Sequence, residues 1–365
     1  MKVKKYVRQL HLWVGLVLGA LFFVIAFSGA VYTWAPEIST VLYKQKVEPS
    51  DQPFVSVSTL KTTLAEAFPE GDFRTVLYKD HSSAAEVLLY APGTYYIAFL
   101  NPYTGELLHL QDMNAGWLNH LKSLHRNLML GNVGRQIVHW GTLLFLLMMI
   151  TGLVIWWPAN KAGRKQRFTI KWGASPKRLN YDLHNVLGFY VTWISIFSVI
   201  TGLFWGFEPV REVLRATTGE NEVTYDTPTS DEQGAVATDH FDQFALLDSL
   251  STVLQQQYPT RFIRISNPHK PAAPINVAIS EPGMRVQTTD HYYFDRYTGK
   301  QVMGDFENGP HAESTLFHTM HGLVYDIHLG NVLAFPGRLL VCFASLIAAS
   351  LPVTGFIVWF NKRKK

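Results

Sequence analysis

Four stretches of this chain contain no Asp, Glu, Lys or Arg: Leu12–Trp34, Gly141–Trp157, Asn185–Phe207 and Leu339–Phe360. Each approaches the ~20 residues a helix needs to cross a bilayer. Inside hydrocarbon a backbone can satisfy itself only as a helix or a closed barrel, and continuous apolar runs of this length read as helices. They also explain why only 16% of the 365 residues are charged, where about a quarter is usual in soluble proteins. The second run extends outward through His139 to Gln136, and the third opens at His184, so both can span with some tilt. The first run follows a basic start (Lys2, Lys4, Lys5, Arg8). It is too long for the apolar part of a signal peptide, and no small-x-small cleavage site follows, so it reads as a retained helix. The one cysteine, Cys342, lies in the fourth run, which excludes a disulfide framework and a cysteine-based metal site.

Charge orients the runs. Residues 158–183 hold Lys161, Arg164, Lys165, Arg167, Lys171, Lys177 and Arg178 against one acid, Asp182, and the chain ends Lys362-Arg363-Lys364-Lys365. Short loops rich in Lys and Arg stay cytoplasmic. Both termini and the 158–183 loop are therefore expected inside, and residues 36–134 and 208–335 outside, which in a bacterium is the periplasm. Because the basic residues collect at membrane edges, they carry no nucleic-acid signal.

The chain repeats itself. Leu10-His11-Leu-Trp-Val-Gly15 opens the first run, which ends in Ser28-Gly29; Leu183-His184-Asn-Val-Leu-Gly188 opens the third, which ends in Thr201-Gly202. The offset is 173 residues for the histidines and for the terminal glycines. Before the second and fourth runs, His125 is followed ten residues on by Arg135, and His328 ten residues on by Arg338, each Arg preceded by Gly. Each Arg lies sixteen residues before a Thr-Gly pair, Thr151-Gly152 and Thr354-Gly355. The outer loops share a plan as well. In the first, a helix near Ser58–Phe68 precedes strands near Phe73–Tyr78, Glu86–Tyr90, Tyr95–Leu100 and Glu106–Leu110. In the second, a helix near Phe244–Tyr258 precedes strands near Phe262–Ser266, Ile275–Ser280, Val286–Phe294 and Lys300–Met303. The turns before the last strands, Asn101-Pro-Tyr-Thr-Gly105 and Asp295-Arg-Tyr-Thr-Gly299, supply a glycine for positive φ. Residues 217–240 read as an exposed irregular stretch. Two copies that each start and end inside are parallel repeats about an axis along the membrane normal.

Histidine at the mouth of a membrane helix is uncommon, because hydrocarbon does not solvate it. His11 and His184 sit at equivalent depth on facing helices, each with glycine at i+4 (Gly15, Gly188) on the same face. Two axial imidazoles with a flat gap beside them suit a non-covalent b-type haem in a bundle core. The competing reading is a helix-end histidine in the headgroup zone, with glycine there for close helix packing. His125 and His328 form a second equivalent pair on the outer side. Arg135 and Arg338 either pair with haem propionates or anchor their helices at the headgroups. His139, whose counterpart is Cys342, is either an alternative outer ligand or a core polar group. His318, His321 and His328 can share a helical stripe, and His81, His109, His240, His269 and His291 are expected at the surface of the loops. Trp156-Trp157 and Trp359 read as inner-face anchors. CxxCH, GxGxxG and Walker A patterns are absent, which excludes covalent haem attachment and a readable nucleotide site.

The Leu-His-x-x-x-Gly openings, the His-x(9)-Arg spacing with Gly-Arg, the terminal Ser/Thr-Gly pairs and the Tyr-Thr-Gly hairpins together resemble the PepSY-associated transmembrane family of bacterial inner-membrane proteins, over nearly the whole chain. The resemblance implies a di-haem reductase of ferric siderophores, of the FoxB type, with His11, His125, His184 and His328 as ligand positions. The expected fold is an α-helical membrane protein, a four-helix bundle built from two parallel repeats, each with a small periplasmic PepSY-like α+β module. In order these are a first span (1–35), a module (36–117), a juxtamembrane segment and second span (118–158), a basic cytoplasmic loop (159–183), a third span (184–208), a second module (209–315), and a juxtamembrane segment with fourth span and basic tail (316–365). Two b-type haems, an inner-face electron donor and a periplasmic ferric siderophore or ferric chelate complete the reading. The modules are expected to shape the docking site. A non-enzymatic peptide-binding sensor and a siderophore-uptake accessory transporter are the alternatives. Runs lacking carboxylates, and Pro-broken only at Pro352, argue against ion-coupled transport.

Overall fold

A computed structural model describes residues 2–158, 164–219, 228–230, 242–283, 285–303 and 309–363. Lys161, His240, Lys364, Lys365 and most of the 217–240 stretch lie outside the described residues. The helices are α1 (Lys2–Tyr32), α2 (Ala35–Leu42), α3 (Val57–Ala67), α4 (Trp117–Asn127), α5 (Gly131–Trp156), α6 (Arg164–Phe168), α7 (Pro176–Asp182), α8 (Gly188–Gly206), α9 (Glu208–Thr218), α10 (Gln243–Gln257), α11 (Leu316–Leu329) and α12 (Ala334–Arg363), with a π-helical turn at Leu183–Leu187 joining α7 to α8. The chain forms two compact units, one of Met1–Ala35, His120–Glu212 and Ile327–Lys365, the other of Pro36–Asn119 and Val213–Asp326.

The first unit is a helix bundle. Among the described residues, four spans are long and apolar enough to cross a membrane: Val3–Tyr32, Gly131–Trp156, Pro176–Gly206 and Asn331–Arg363. Helix α1 packs on α5 and α12, and α8 packs on the same two, so α1 and α8 stand at one diagonal and α5 and α12 at the other. The two Gly-Arg pairs explain how α5 and α12 begin. A Cβ on Gly134 would lie 1.8 Å from the carbonyl oxygen of Asn127, and one on Gly337 would lie 2.1 Å from that of Gly330. No larger residue fits, because the chain folds back on itself where each helix starts. Trp156 is buried, stacked on Phe189 at 3.8 Å, and its indole N–H donates to the carbonyl of Arg167 at 3.2 Å. Trp157 is exposed. Of the three tryptophans read as anchors, Trp156 is thus a core residue of the bundle.

The second unit is built on a sheet. Its strands are β1 (Asp72–Tyr78), β2 (Ala85–Ala91), β3 (Thr94–Leu100), β4 (Leu107–Asp112), β5 (Phe262–Ser266), β6 (Ile275–Ser280), β7 (Thr289–Phe294) and β8 (Gln301–Val302). The strands foreseen for two modules form one antiparallel eight-stranded sheet in the order β4-β3-β2-β1-β5-β6-β7-β8. The seam is β1 against β5, with Thr75 opposite Ser266, Val76 opposite Ile265 and Tyr78 opposite Ile263. One strand start differs from expectation: Val286–Thr288 is a 3₁₀ turn, and β7 begins at Thr289.

Alternation along β2, buried at Ala85, Val87, Leu89 and Ala91, follows the period of two that sends successive side chains to opposite faces. One face meets α3 and α10 in a core of Leu60, Leu64, Val76, Val87, Leu247, Ile263, Ile265 and Ile279. Ser56 caps α3 by accepting from the backbone N–H of Thr59, and Asp242 caps α10 by accepting from those of Phe244 and Ala245, each worth about 1 kcal/mol. The two Tyr-Thr-Gly turns are built alike. Asn101 accepts from the N–H of Tyr103 and Asp295 from that of Tyr297, while Gly105 and Gly299 take φ of +77° and +69°.

Candidate functional site

The bundle brings the sequence-predicted histidines together in two pairs. His11 faces His184 with ring centroids 6.5 Å apart and planes at 80°. His125 faces His328 at 6.1 Å and 56°. His11 comes from α1 and His184 from the π-helical turn that leads into α8, across one diagonal. His125 and His328 come from α4 and α11, the short helices that lead into α5 and α12. The pairs sit at opposite ends. His125 is held by Ser28, which lies seventeen residues beyond His11 on α1, about 25 Å of helical rise.

All four rings are held in the same way, by the Ser/Thr-Gly pairs that mark the far ends of the helices. His11 Nδ1 lies 2.9 Å from Thr151 Oγ1 and hydrogen-bonds the backbone of Met148. His184 Nδ1 lies 3.0 Å from Thr354 Oγ1 and donates to the carbonyl of Leu351 at 3.1 Å. His328 Nδ1 lies 2.9 Å from Thr201 Oγ1 and donates to the carbonyl of Ser198 at 3.1 Å. His125 Nδ1 donates to the carbonyl of Ile25 at 2.8 Å, with Ser28 Oγ at 3.5 Å. In each case the carbonyl belongs to the residue three before the Ser or Thr.

The following glycine makes room for the ring. A Cβ would lie 2.8 Å from His125 Cε1 at Gly29, 3.0 Å from His184 Cε1 at Gly355, 3.3 Å from His11 Cε1 at Gly152 and 3.7 Å from His328 Cε1 at Gly202. A carbonyl can only accept, so Nδ1 carries the proton in each ring, and Nε2 keeps its lone pair. Among the described residues no hydrogen bond reaches the Nε2 of any of the four. Imidazoles held by one nitrogen against a backbone carbonyl, with the other nitrogen bare, are arranged as metal-bound histidines usually are.

The other residues singled out from the sequence lie elsewhere. Gly15 and Gly188 do not border the imidazoles. A Cβ at Gly15 would meet Met148 Cε at 3.0 Å, and one at Gly188 would meet Leu351 Cδ2 at 3.7 Å, so these glycines let α1 and α8 approach their neighbours. Arg135 is exposed and donates to Asn132 Oδ1 at 2.9 Å. Arg338 lies over the Trp34 ring at 5.7 Å. His139 packs against Gly206 and the Phe207 ring, with its Nδ1 buried and unpartnered, and joins neither pair.

The proposed stripe of His318, His321 and His328 is divided. His318 lines a small polar cavity with His291, Gln287 and Thr289, His321 lies beside the Phe317 ring, and His328 turns to Thr201. His291 is therefore no surface residue: burial, with help from the Arg264 guanidinium, lowers its pKa to about 4. What sequence reasoning missed was the Ser/Thr-Gly pairs as ring cradles. Their signal is in the sequence: Ser-Gly once and Thr-Gly three times, near the end of each of the four apolar runs.

Comparison with protein families gives a match to the PepSY-associated TM region over residues 8–362, and the chain belongs to that family. No curated protein matches it.

Proposed function

We propose that this member of the PepSY-associated transmembrane family is a haem-carrying membrane oxidoreductase. In this reading it moves electrons across the bilayer to reduce a ferric siderophore or other ferric chelate in the bacterial periplasm. The observation that carries the reading is the geometry of the two histidine pairs. Two imidazoles sharing one metal through Nε2 have centroids about 6.2 Å apart, taking a metal–nitrogen bond of about 2 Å and about 1.1 Å from nitrogen to ring centre. The pairs stand at 6.5 and 6.1 Å, with Nδ1 satisfied and Nε2 bare in all four rings.

The donor set fits two bis-histidine b-type haems, held by His11 with His184 and by His125 with His328. A haem ligated this way supplies reversible one-electron chemistry in a water-poor core. The residues of this chain contribute the rest. Thr151, Thr354, Thr201 and Ser28 stand against the protonated ring nitrogens, and Gly152, Gly355, Gly202 and Gly29 leave the rings their place. Spans without charged residues keep water away. Siderophore oxygens are hard donors that hold Fe(III) far better than Fe(II), so a single electron loosens the complex.

The charge pattern supports an inner-membrane orientation with the His11/His184 end inside. Fifteen Lys and Arg fall within residues 2–8, 161–182 and 362–365 against one acid, Asp182, while the rest of the chain holds seventeen against twenty-seven. Asp182 is itself buried and paired with Arg178 at 2.9 Å. That both long loops contribute strands to one sheet supports a topology with both on the same side, as two parallel repeats require.

The test is a reduced-minus-oxidised spectrum of the purified full chain with haem quantitation. Two low-spin haems per chain are expected. His11→Ala and His184→Ala should each remove the same one, and His125→Ala and His328→Ala the other. Protein expressed with ample haem that remains colourless overturns the reading.

A further inference from the structure

Four hydroxyls stand against the four imidazoles, and helix satisfaction alone does not account for where they point. Each gives its proton to its own helix. Thr151 Oγ1 donates to Leu147 and Met148 carbonyls (2.9 and 3.0 Å), Thr201 to Phe197 and Ser198 (2.7 and 3.0 Å), Thr354 to Ser350 and Leu351 (both 3.1 Å), and Ser28 to Val24 and Ile25 (2.6 and 3.1 Å). Such back-bonding is the ordinary way for Ser and Thr to sit inside a helix, and it is complete without a histidine. Yet all four oxygens then face an Nδ1–H across a helix–helix contact, at 2.9 to 3.0 Å for the threonines and 3.5 Å for the serine. With the hydroxyl proton already committed to a carbonyl, the oxygen can only accept from the ring.

We infer that Thr151, Thr354 and Thr201, and more weakly Ser28, are positioning residues that fix the ligand rings and tune the redox potential of the haem at their own end of the bundle. The inference rests on the haem reading above. Each Nδ1–H is shared between a backbone carbonyl and a hydroxyl oxygen. The carbonyl is immune to side-chain substitution, so the hydroxyl is the part of this second layer that sequence can adjust. An N–H drawn toward two acceptors leaves more electron density on the imidazole, and a more basic ligand favours Fe(III) over Fe(II). Removing the hydroxyl therefore raises the potential of that haem and leaves the other in place. Because the hydroxyls act in pairs, Thr151 and Thr354 govern one haem, and Thr201 and Ser28 the other.

The experiment uses the purified full chain carrying Thr151→Val, Thr354→Val, Thr201→Val or Ser28→Ala, with Thr→Ser at the same positions. Haem content and an equilibrium redox titration that resolves two components are read for each. Valine keeps the shape of threonine, so haem content is expected to hold. Thr151→Val and Thr354→Val should shift the same component upward, and Thr201→Val the other. Ser28→Ala should shift that second component less than Thr201→Val does, and the serine variants should titrate as wild type. Valine variants that keep both haems at unchanged potentials overturn the inference while leaving the haem reading intact. So does a result in which Thr151→Val and Thr354→Val move different components. If a valine variant loses its haem, retention by the serine variant supports the hydroxyl's role, and loss in both overturns it. A wild-type chain without haem overturns the inference and the haem reading together.

Discussion

Replacing the four cradle glycines by alanine gives a graded test, because the space beside each ring differs. Carbon atoms rest about 3.5–4.0 Å apart at optimal contact. Against the lower bound, an alanine Cβ would overlap His125 by about 0.7 Å at position 29 and His184 by about 0.5 Å at 355. The overlap with His11 is about 0.2 Å at 152, and there is none with His328 at 202. Backbone flanks each glycine inside a long helix, so the ring has to give. Moving His125 by 0.7 Å stretches a 2.8 Å hydrogen bond to Ile25 beyond useful length, and metal sites tolerate ligand shifts of only about 0.2 Å.

Overpacking of this kind costs about 1–3 kcal/mol. Alanine also gains about 1 kcal/mol of helix propensity over glycine, so thermal stability alone blurs the effect. On the proposed haem reading, the assay is haem occupancy and the low-spin spectrum of each purified variant. Gly29→Ala and Gly355→Ala should each lose one haem, a different one in the two variants. Gly152→Ala should keep its haem with a perturbed spectrum, and Gly202→Ala should match wild type. Full occupancy in Gly29→Ala alongside loss in Gly202→Ala would refute the account of these glycines as ring cradles.

Further outcomes follow from other parts of the molecule. The histidine folded with a pKa near 4, His291, prefers to be neutral in the native state, whereas in the unfolded chain it titrates near 6.5. Protonation then favours unfolding, so the sheet unit should lose on the order of 2–3 kcal/mol as pH falls from 7 to 4.5. His291→Gln should flatten that slope in denaturant titrations at the two pH values, and an unchanged slope would remove His291 as its source. Ile265 is buried at the β1–β5 seam, and Ile265→Ala should cost about 2–5 kcal/mol, read as a lower midpoint with haem content retained. Gly134→Ala places a methyl 1.8 Å from a backbone oxygen. It should impair folding of the bundle far more than Gly188→Ala, where the nearest atom is a leucine methyl at 3.7 Å; membrane yield of the two variants checks this.

The histidine pairs were legible because helices are regular: equal offsets in sequence become equal depths on parallel helices, whatever the surroundings. What each ring touches was not legible. Helical spacing places Gly15 beside His11, four residues along the same helix, but the ring leans outward onto α5, where Thr151 and Gly152 lie 140 and 141 positions away. In the sequence the Ser/Thr-Gly pairs read as markers of helix ends, and only the packing of neighbouring helices turns them into cradles. Strands and turns of the loops were readable from alternation and from glycine at positive φ. Their union was not, since the pairing of Val76 with Ile265 has no local signature. His291 shows the same limit: a polar residue within a strand looks solvent-facing until α11 and its preceding turn are seen to enclose it.

The β1–β5 seam has a consequence for biogenesis. Tyr78 and Ile263 are opposite one another in the sheet yet 185 positions apart in the chain, with two membrane spans between them. At synthesis rates of about 5–20 residues per second, β1 waits on the order of 10–40 s for its neighbour. All that time it offers an unpaired edge flanked by the finished β2–β4 sheet, the kind of edge that recruits strands from other chains. Shielding of β1 until β5 is delivered would keep that edge from pairing with another copy. A ribosome pause between the second and third spans would lengthen the period in which one copy can pair with another.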